Sequence, residues 1–107
     1  MTQRIVFLNA LITSSKMPMT LKTRPITLDE VRQRVSGALI ESYIGHEATA
    51  KLLSSILAVN IPVNRGMYDP KPEDVAIVVR LKKRLDKPED VQNVKESDIE
   101  FILVEYQ

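Results

Sequence analysis

Hydrophobic and polar positions change their period several times along the chain. "RIVFLNA", Arg4 to Ala10, is rich in β-branched and aromatic residues and predicts a first strand. "LITSSKMPMTLKTRP" mixes Ser, Thr and Pro, which predicts a loop with at most a short strand near Thr20 to Thr23. "TLDE", Thr27 to Glu30, has capping-box spacing: Thr27 accepts from a backbone N–H three residues on, and Glu30 reaches back. A helix is expected over about Leu28 to Ser36, with Gly37 placed to end it in a left-handed turn. "ALIESYI" alternates like a strand. From His46 the period lengthens, and Thr49, Leu52, Leu53, Ile56 and Leu57 share one helical face. Glu47 in that first turn suits the positive end of the helix dipole, and Pro62 blocks continuation.

Beyond the turn-rich "DPKPED", the run "VAIVVRLKKR" reads as a strand. Val75, Ile77, Val79 and Leu81 face one way, and Ala76, Val78, Arg80, Lys82 and Arg84 the other. "LDKPEDVQNVKES" predicts a loop with at most one helical turn, and "IEFILVEY" a closing strand. Two main helices and about four to five strands make an α+β domain, with the helices on one face of a mixed sheet. The whole chain, residues 1–107, is expected to form one such domain.

Composition narrows the chemistry. Fifteen basic against fourteen acidic residues argue against a general nucleic-acid coat, so no stable nucleic-acid partner is expected. The absence of cysteine excludes disulfides, thiol chemistry and cysteine zinc sites, and a single histidine excludes multi-histidine metal sites. There is no phosphate-binding glycine loop, nucleophile elbow or acidic metal motif, and no cofactor is expected; composition alone leaves a carboxylate magnesium site open. Few aromatics leave a stacking platform for single strands poorly supplied. No run approaches the ~20 apolar residues of a membrane helix, and the N-terminal apolar run lacks a signal-peptide layout. A cytoplasmic protein without a membrane partner is expected, in the host cytoplasm were it viral.

The candidate site begins at the lone histidine. His46 stands at the mouth of the best-defined helix, where unpaired N–H groups and the dipole favour an anion. Gly45 lets the backbone approach a ligand closely. The helix end disfavours an imidazolium while a bound phosphate favours it, so such a histidine would be tuned by its own ligand. Arg65 and Arg84 suit bidentate phosphate contact, and Arg80 and Lys82 share the expected face of Arg84. Asn9 and Asn64 could read a base edge or ribose, or cap a turn. Of Asp86, Glu89 and Asp90, all loop charges by default, one could orient His46 or share its proton.

"IGHEATAKLLSSILAVNIPVNR", followed by "VVRLKKRL" and flanked by "FLNA" and "IEFILVEY", resembles the viral ring nuclease family over most of the chain. These are small anti-CRISPR proteins of archaeal viruses and bacteriophages, with bacterial relatives. They degrade cyclic tetra-adenylate, the messenger of type III CRISPR defence. The resemblance implies a homodimer with the ring across its two-fold axis, each subunit offering one histidine to one phosphodiester. It implies metal-free cleavage: a 2′-hydroxyl attacks the neighbouring phosphate, the 5′-oxygen leaves, and linear di-adenylates result. His46 matches the catalytic histidine, Ile44 and Gly45 positions whose backbone lines the ligand, Arg65 and Arg84 phosphate-binding arginines, and Asn9 a ligand contact.

One departure falls in the loop. The family places a glutamate third after the second arginine, often as Arg-Leu-Pro-Glu-Gly, whereas "RLDKPEDV" puts Lys87 there. A two-residue insertion would bring Glu89 onto the glutamate, with Asp86 the fallback. If the loop cannot return Glu89 to His46, the protein would bind the ring better than it cuts it. Two alternatives are therefore a non-catalytic cyclic-oligoadenylate sponge or sensor, and a viral nucleic-acid-binding protein using the Arg80–Lys82–Arg84 face.

Overall fold

The computed structural model describes residues 4–12, 18–82 and 94–107. A five-stranded mixed sheet forms from β1 (Arg4–Leu8), β2 (Leu21–Ile26), β3 (Leu39–Tyr43), β4 (Val75–Leu81) and β5 (Ile99–Tyr106), with α1 (Leu28–Val35) and α2 (Glu47–Leu57) between strands. The spatial order is β2-β5-β4-β1-β3. β1 runs parallel to both β3 and β4, while β5 lies antiparallel between β4 and β2. Four strands therefore point one way and β5 alone points back.

Alternation splits each strand between two cores. Ile5, Phe7, Ile77, Val79, Phe101 and Leu103 pack under the buried residues of α1 and α2, including Val31, Leu52, Leu53 and Leu57. Val6, Leu8, Ala76, Val78, Val104 and Tyr106 face the other way, where Tyr68 and the half-buried Ile12, Met19 and Tyr43 close over them. Along Val75–Leu81 the two expected faces are the observed ones; the strand ends before Lys82, and Arg84 lies outside the described residues.

Several details differ from the expectations. β2 is a full six-residue strand that includes Pro25. It is tolerated because β2 lies at the sheet edge, where one row of backbone groups needs no partner. Thr27 Oγ1 does accept from the Glu30 N–H at 3.2 Å, but the Glu30 carboxylate pairs with Arg24 and Arg34 and does not reach back. Those arginines hold it below the usual carboxylate range, Arg24 foremost. Gly37, at φ +74°, makes the left-handed turn expected after α1, whose last helical residue is Val35. α2 ends at Leu57, well short of Pro62, because Ala58 takes the left-handed conformation. There Ser54 Oγ donates toward the Ala50 carbonyl at 2.8 Å and accepts from the Ile61 N–H at 2.9 Å, folding the chain back. Residues Glu96–Asp98 form the single helical turn foreseen before β5.

Candidate functional site

β1 stops at Leu8, level with Tyr43 of β3 and Val78 of β4. β4 runs on to Leu81, paired there only with β5. A notch opens at the carboxyl ends of the parallel strands, where open sheets of this kind bind ligands. Asn9 and Ala10 enter it from β1, the β3–α2 junction walls one side, and exposed Arg80 stands on the other. The walls are two strand spacings apart, about 10 Å.

The junction is built by hydrogen bonds that no hydrophobic pattern reveals. Ser42, buried and missed at the level of sequence, donates from Oγ to the Pro62 carbonyl at 2.6 Å and accepts from the Ile44 N–H at 3.2 Å. The Ile44 carbonyl accepts from the Asn64 N–H at 2.9 Å. Both backbone groups of Ile44 are thus engaged within the protein, and its side chain is buried, so it shapes the wall. Asn64 donates its side-chain amide to the Ser42 carbonyl at 2.9 Å and accepts from the Gly66 N–H at 2.8 Å. Of its two readings, turn cap is the one the geometry supports. A Cβ on Gly66 would lie 3.0 Å from Asn64 Oδ1, which keeps this turn tight.

That braced loop delivers Arg65. Its Nε donates to the Gly45 carbonyl at 3.1 Å, and no carboxylate pairs with its exposed guanidinium among the described residues. Gly45 and Arg65 are therefore one unit. A Cβ on Gly45 would meet Arg65 Cγ at an ordinary 3.5 Å, so crowding alone does not demand glycine there.

His46 is the N-cap residue of α2, with φ −108° and ψ 120°, and its ring makes no capping bond. Its carbonyl accepts the first intrahelical bond, from the Ala50 N–H at 3.0 Å. The ring is exposed, and Nδ1 lies 3.3 Å from Oγ1 of buried Thr49, one turn on. Thr49 was expected on the apolar face of α2 and is there; its hydroxyl reaching the imidazole is new.

Asn9, Tyr43, Gly45, Asn64, Arg65 and Tyr68 line a cleft of about 440 Å³ on the loop-covered face. His46 is not part of its lining and follows Gly45 at the lip. The Tyr43 and Tyr68 rings meet at 5.1 Å. Burial first, then its bond to Asp74 at 2.6 Å, holds the Tyr68 phenol far above its ordinary pKa. Burial likewise pushes Tyr106 up to about 12. A larger hollow of about 530 Å³ lies by β2 and α1, but its charged groups are engaged, Arg24 by Glu30 and Glu100 by Lys82.

Arg80 sits in strand register with Glu100, and the Glu100 carboxylate takes Lys82 at 3.6 Å, so this basic face is partly neutralised. Arg84, Glu89 and Asp86 lie outside the described residues. The structure thus brings Asn9, Gly45, Asn64 and Arg65 to one cleft with His46 beside it and Arg80 across the notch. Among the described residues no three metal-ligating side chains cluster, and no helix is long and apolar enough to cross a membrane.

Residues 5–107 match the STIV B116-like family. The chain belongs to that family. Uncharacterized protein 26 of Sulfolobus islandicus filamentous virus is 32% identical over 71% of this chain, and the uncharacterized YddF of Bacillus subtilis is 37% identical over 81%. Those alignments span 64% and 79% of the relatives' own lengths. The solved structure of B116 from Sulfolobus turreted icosahedral virus superposes with a TM-score of 0.71, covering 95% of this chain and 97% of that one at 16% identity. At that identity the likeness establishes the fold. The family's members here come from viruses and from a bacterium.

Proposed function

We propose that the protein is a metal-independent ring nuclease that opens cyclic tetra-adenylate and so switches off type III CRISPR signalling. One observation carries the reading: an exposed imidazole at the mouth of α2 follows a glycine whose carbonyl braces an arginine that pairs with no carboxylate among the described residues. Those groups supply what a phosphodiester needs. Arg65 binds the anionic phosphate, with Arg80 and Arg84 as further contacts, and the N-terminus of α2 adds its dipole. A ribose 2′-hydroxyl attacks phosphorus and loses its proton to solvent water, the bond to the 5′-oxygen breaks, and the His46 imidazolium protonates that oxygen. The products are linear di-adenylates ending in a cyclic phosphate. Asn9, at the open end of β1, is placed to contact ribose or base.

Two copies would be needed to cut a four-membered ring at opposite phosphates. Met67, 96% exposed at the cleft, and exposed Val63 on the same loop give an apolar rim that a second copy would cover. Glu89 is the carboxylate this reading pairs with His46.

A second reading, a sponge that binds the ring without cutting it, draws on a specific feature. Among the described residues the imidazole meets a hydroxyl and no carboxylate. Incubation with cyclic tetra-adenylate in excess chelator separates the readings. Linear di-adenylates, lost in His46→Ala, are expected of the nuclease. Intact ring co-eluting with the protein would establish the sponge, and intact free ring would end both.

A further inference from the structure

Thr49 is buried, yet its hydroxyl meets a ring that is exposed. A buried hydroxyl must place its hydrogen on an acceptor, and among the described residues its one hydrogen-bond partner is His46 Nδ1 at 3.3 Å. In the neutral ring that makes Nδ1 the acceptor and leaves the ring hydrogen on Nε2. In the imidazolium the same oxygen accepts from Nδ1–H, because a hydroxyl serves either way. Both states therefore present an N–H at Nε2, on the side of the ring away from α2. The i, i+3 spacing on a rigid helix fixes the ring's direction as well as its tautomer.

We propose that Thr49 is the positioning residue of the site, holding His46 so that Nε2–H faces the phosphate. The proposal rests on the nuclease reading for its catalytic consequence, though not for its structural content. When the imidazolium gives its Nε2 proton to the departing 5′-oxygen, the Nδ1–H left on the ring still has Thr49 Oγ1 as acceptor. Water then returns a proton to Nε2.

His46 is the only histidine in the chain, so nitrogen-15 NMR of the untagged protein reports one imidazole. Neutral His46 is expected almost wholly as the Nε2–H tautomer. Thr49→Val keeps the shape and removes the hydroxyl. It should shift the tautomer ratio toward Nδ1–H by about three- to tenfold, the worth of one ordinary hydrogen bond. Thr49→Ser should restore it. On cyclic tetra-adenylate, Thr49→Val should lower kcat about tenfold with KM unchanged, and Thr49→Ser should recover most of that. Tautomer populations identical in wild type and Thr49→Val would overturn the proposal, as would a kcat loss that serine does not rescue. Ring left intact by the wild-type protein would instead overturn the nuclease reading, and wild-type cleavage by His46→Ala would overturn the catalytic role of His46; either leaves the NMR result standing.

Discussion

The two faces of the sheet are closed by different means. Under α1 and α2 the seal is aliphatic: Val31, Leu52, Leu53 and Leu57 sit on Ile5, Phe7, Ile77 and Val79 with almost no polar atoms. On the opposite face loops replace helices, and tyrosines replace leucines. Tyr68 donates to Asp74, and Tyr106 donates to the Ile12 carbonyl at 2.7 Å. Tyr43 donates to Glu41 at 2.7 Å, and Arg4 ties Glu41 and Asp74 together. A loop cannot bury its backbone cheaply, so amphipathic rings with a polar tip suit that face. The candidate site lies on the seam. His46 comes from the helix layer, while Asn9, Asn64 and Arg65 come from the loop layer. The difference teaches that stability and ligand chemistry are held by separable interactions.

The largest expected effect tests the helix side. Leu53 is fully buried, and Leu53→Ala should cost about 2–5 kcal/mol in urea unfolding, as a cavity under a packed helix does. If the faces are separable, ligand affinity of the folded fraction should hold within about twofold, measured at a urea-free temperature where the variant is folded.

Alkaline pH should strike the other face. Tyr68 and Tyr106 both have folded-state pKa values raised by burial, Tyr106 to about 12. A raised value means the folded protein holds the phenolic proton more tightly than the unfolded chain. The associated stability is full below the unfolded value near 10 and is lost as pH rises from there toward and beyond about 12. By pH 11 the two rings together should cost about 3 kcal/mol, followed by chemical denaturation across pH 9–11. Tyr106→Phe should remove part of that slope. A flat profile above pH 10 would mean the tyrosines are not sealed as described.

Much of this division was legible in sequence, and for a physical reason. α2 and the alternating faces of β4 are visible because periodicity is a local signal, and side chains at i, i+2 or i, i+4 report one environment. β2 was visible only as a short strand near Thr20 to Thr23, since Pro25 reads as a breaker until β2 is known to be an edge strand paired antiparallel with β5. The end of α2 was hidden too: Ala58 adopts a left-handed turn that glycine would have announced. In the site, His46, Gly45 and Arg65 stood out through residue type and place. Ser42 did not, because its bond to Pro62 spans twenty residues. Nor did the hydroxyl of Thr49, whose position suited the core equally well. Sequence alone offers Asn64 as ligand contact or turn cap, and the capping bonds appear only once the loop closes against β3.

Arg65 should show the converse of Leu53. Its guanidinium is exposed and, among the described residues, braced on the Gly45 carbonyl alone, so Arg65→Ala should leave unfolding within about 0.5 kcal/mol of wild type. Affinity for cyclic tetra-adenylate should fall about ten- to a hundredfold, the range of charge-assisted bonds to phosphate. Calorimetric titration against a catalytically inactive His46→Ala background gives the affinity without turnover. A stability loss comparable to that of Leu53→Ala would place Arg65 among the structural supports and dissolve the distinction.

Asn64 offers the smallest effect and the sharpest division between the two roles. Its amide fastens the 62–66 loop to β3 while its oxygen holds the Gly66 N–H, and the residue is otherwise open to water. Water can replace both bonds, so Asn64→Ala should cost only about 1 kcal/mol. The loop carrying Arg65 would then be less well placed, and affinity should drop by about two- to threefold through that guanidinium rather than through a lost amide contact. Combining Asn64→Ala with Arg65→Ala discriminates the routes. If Asn64 acts by positioning Arg65, the double variant should bind no more weakly than Arg65→Ala alone, because there is no guanidinium left to misplace. Fully additive losses would make Asn64 a ligand contact in its own right.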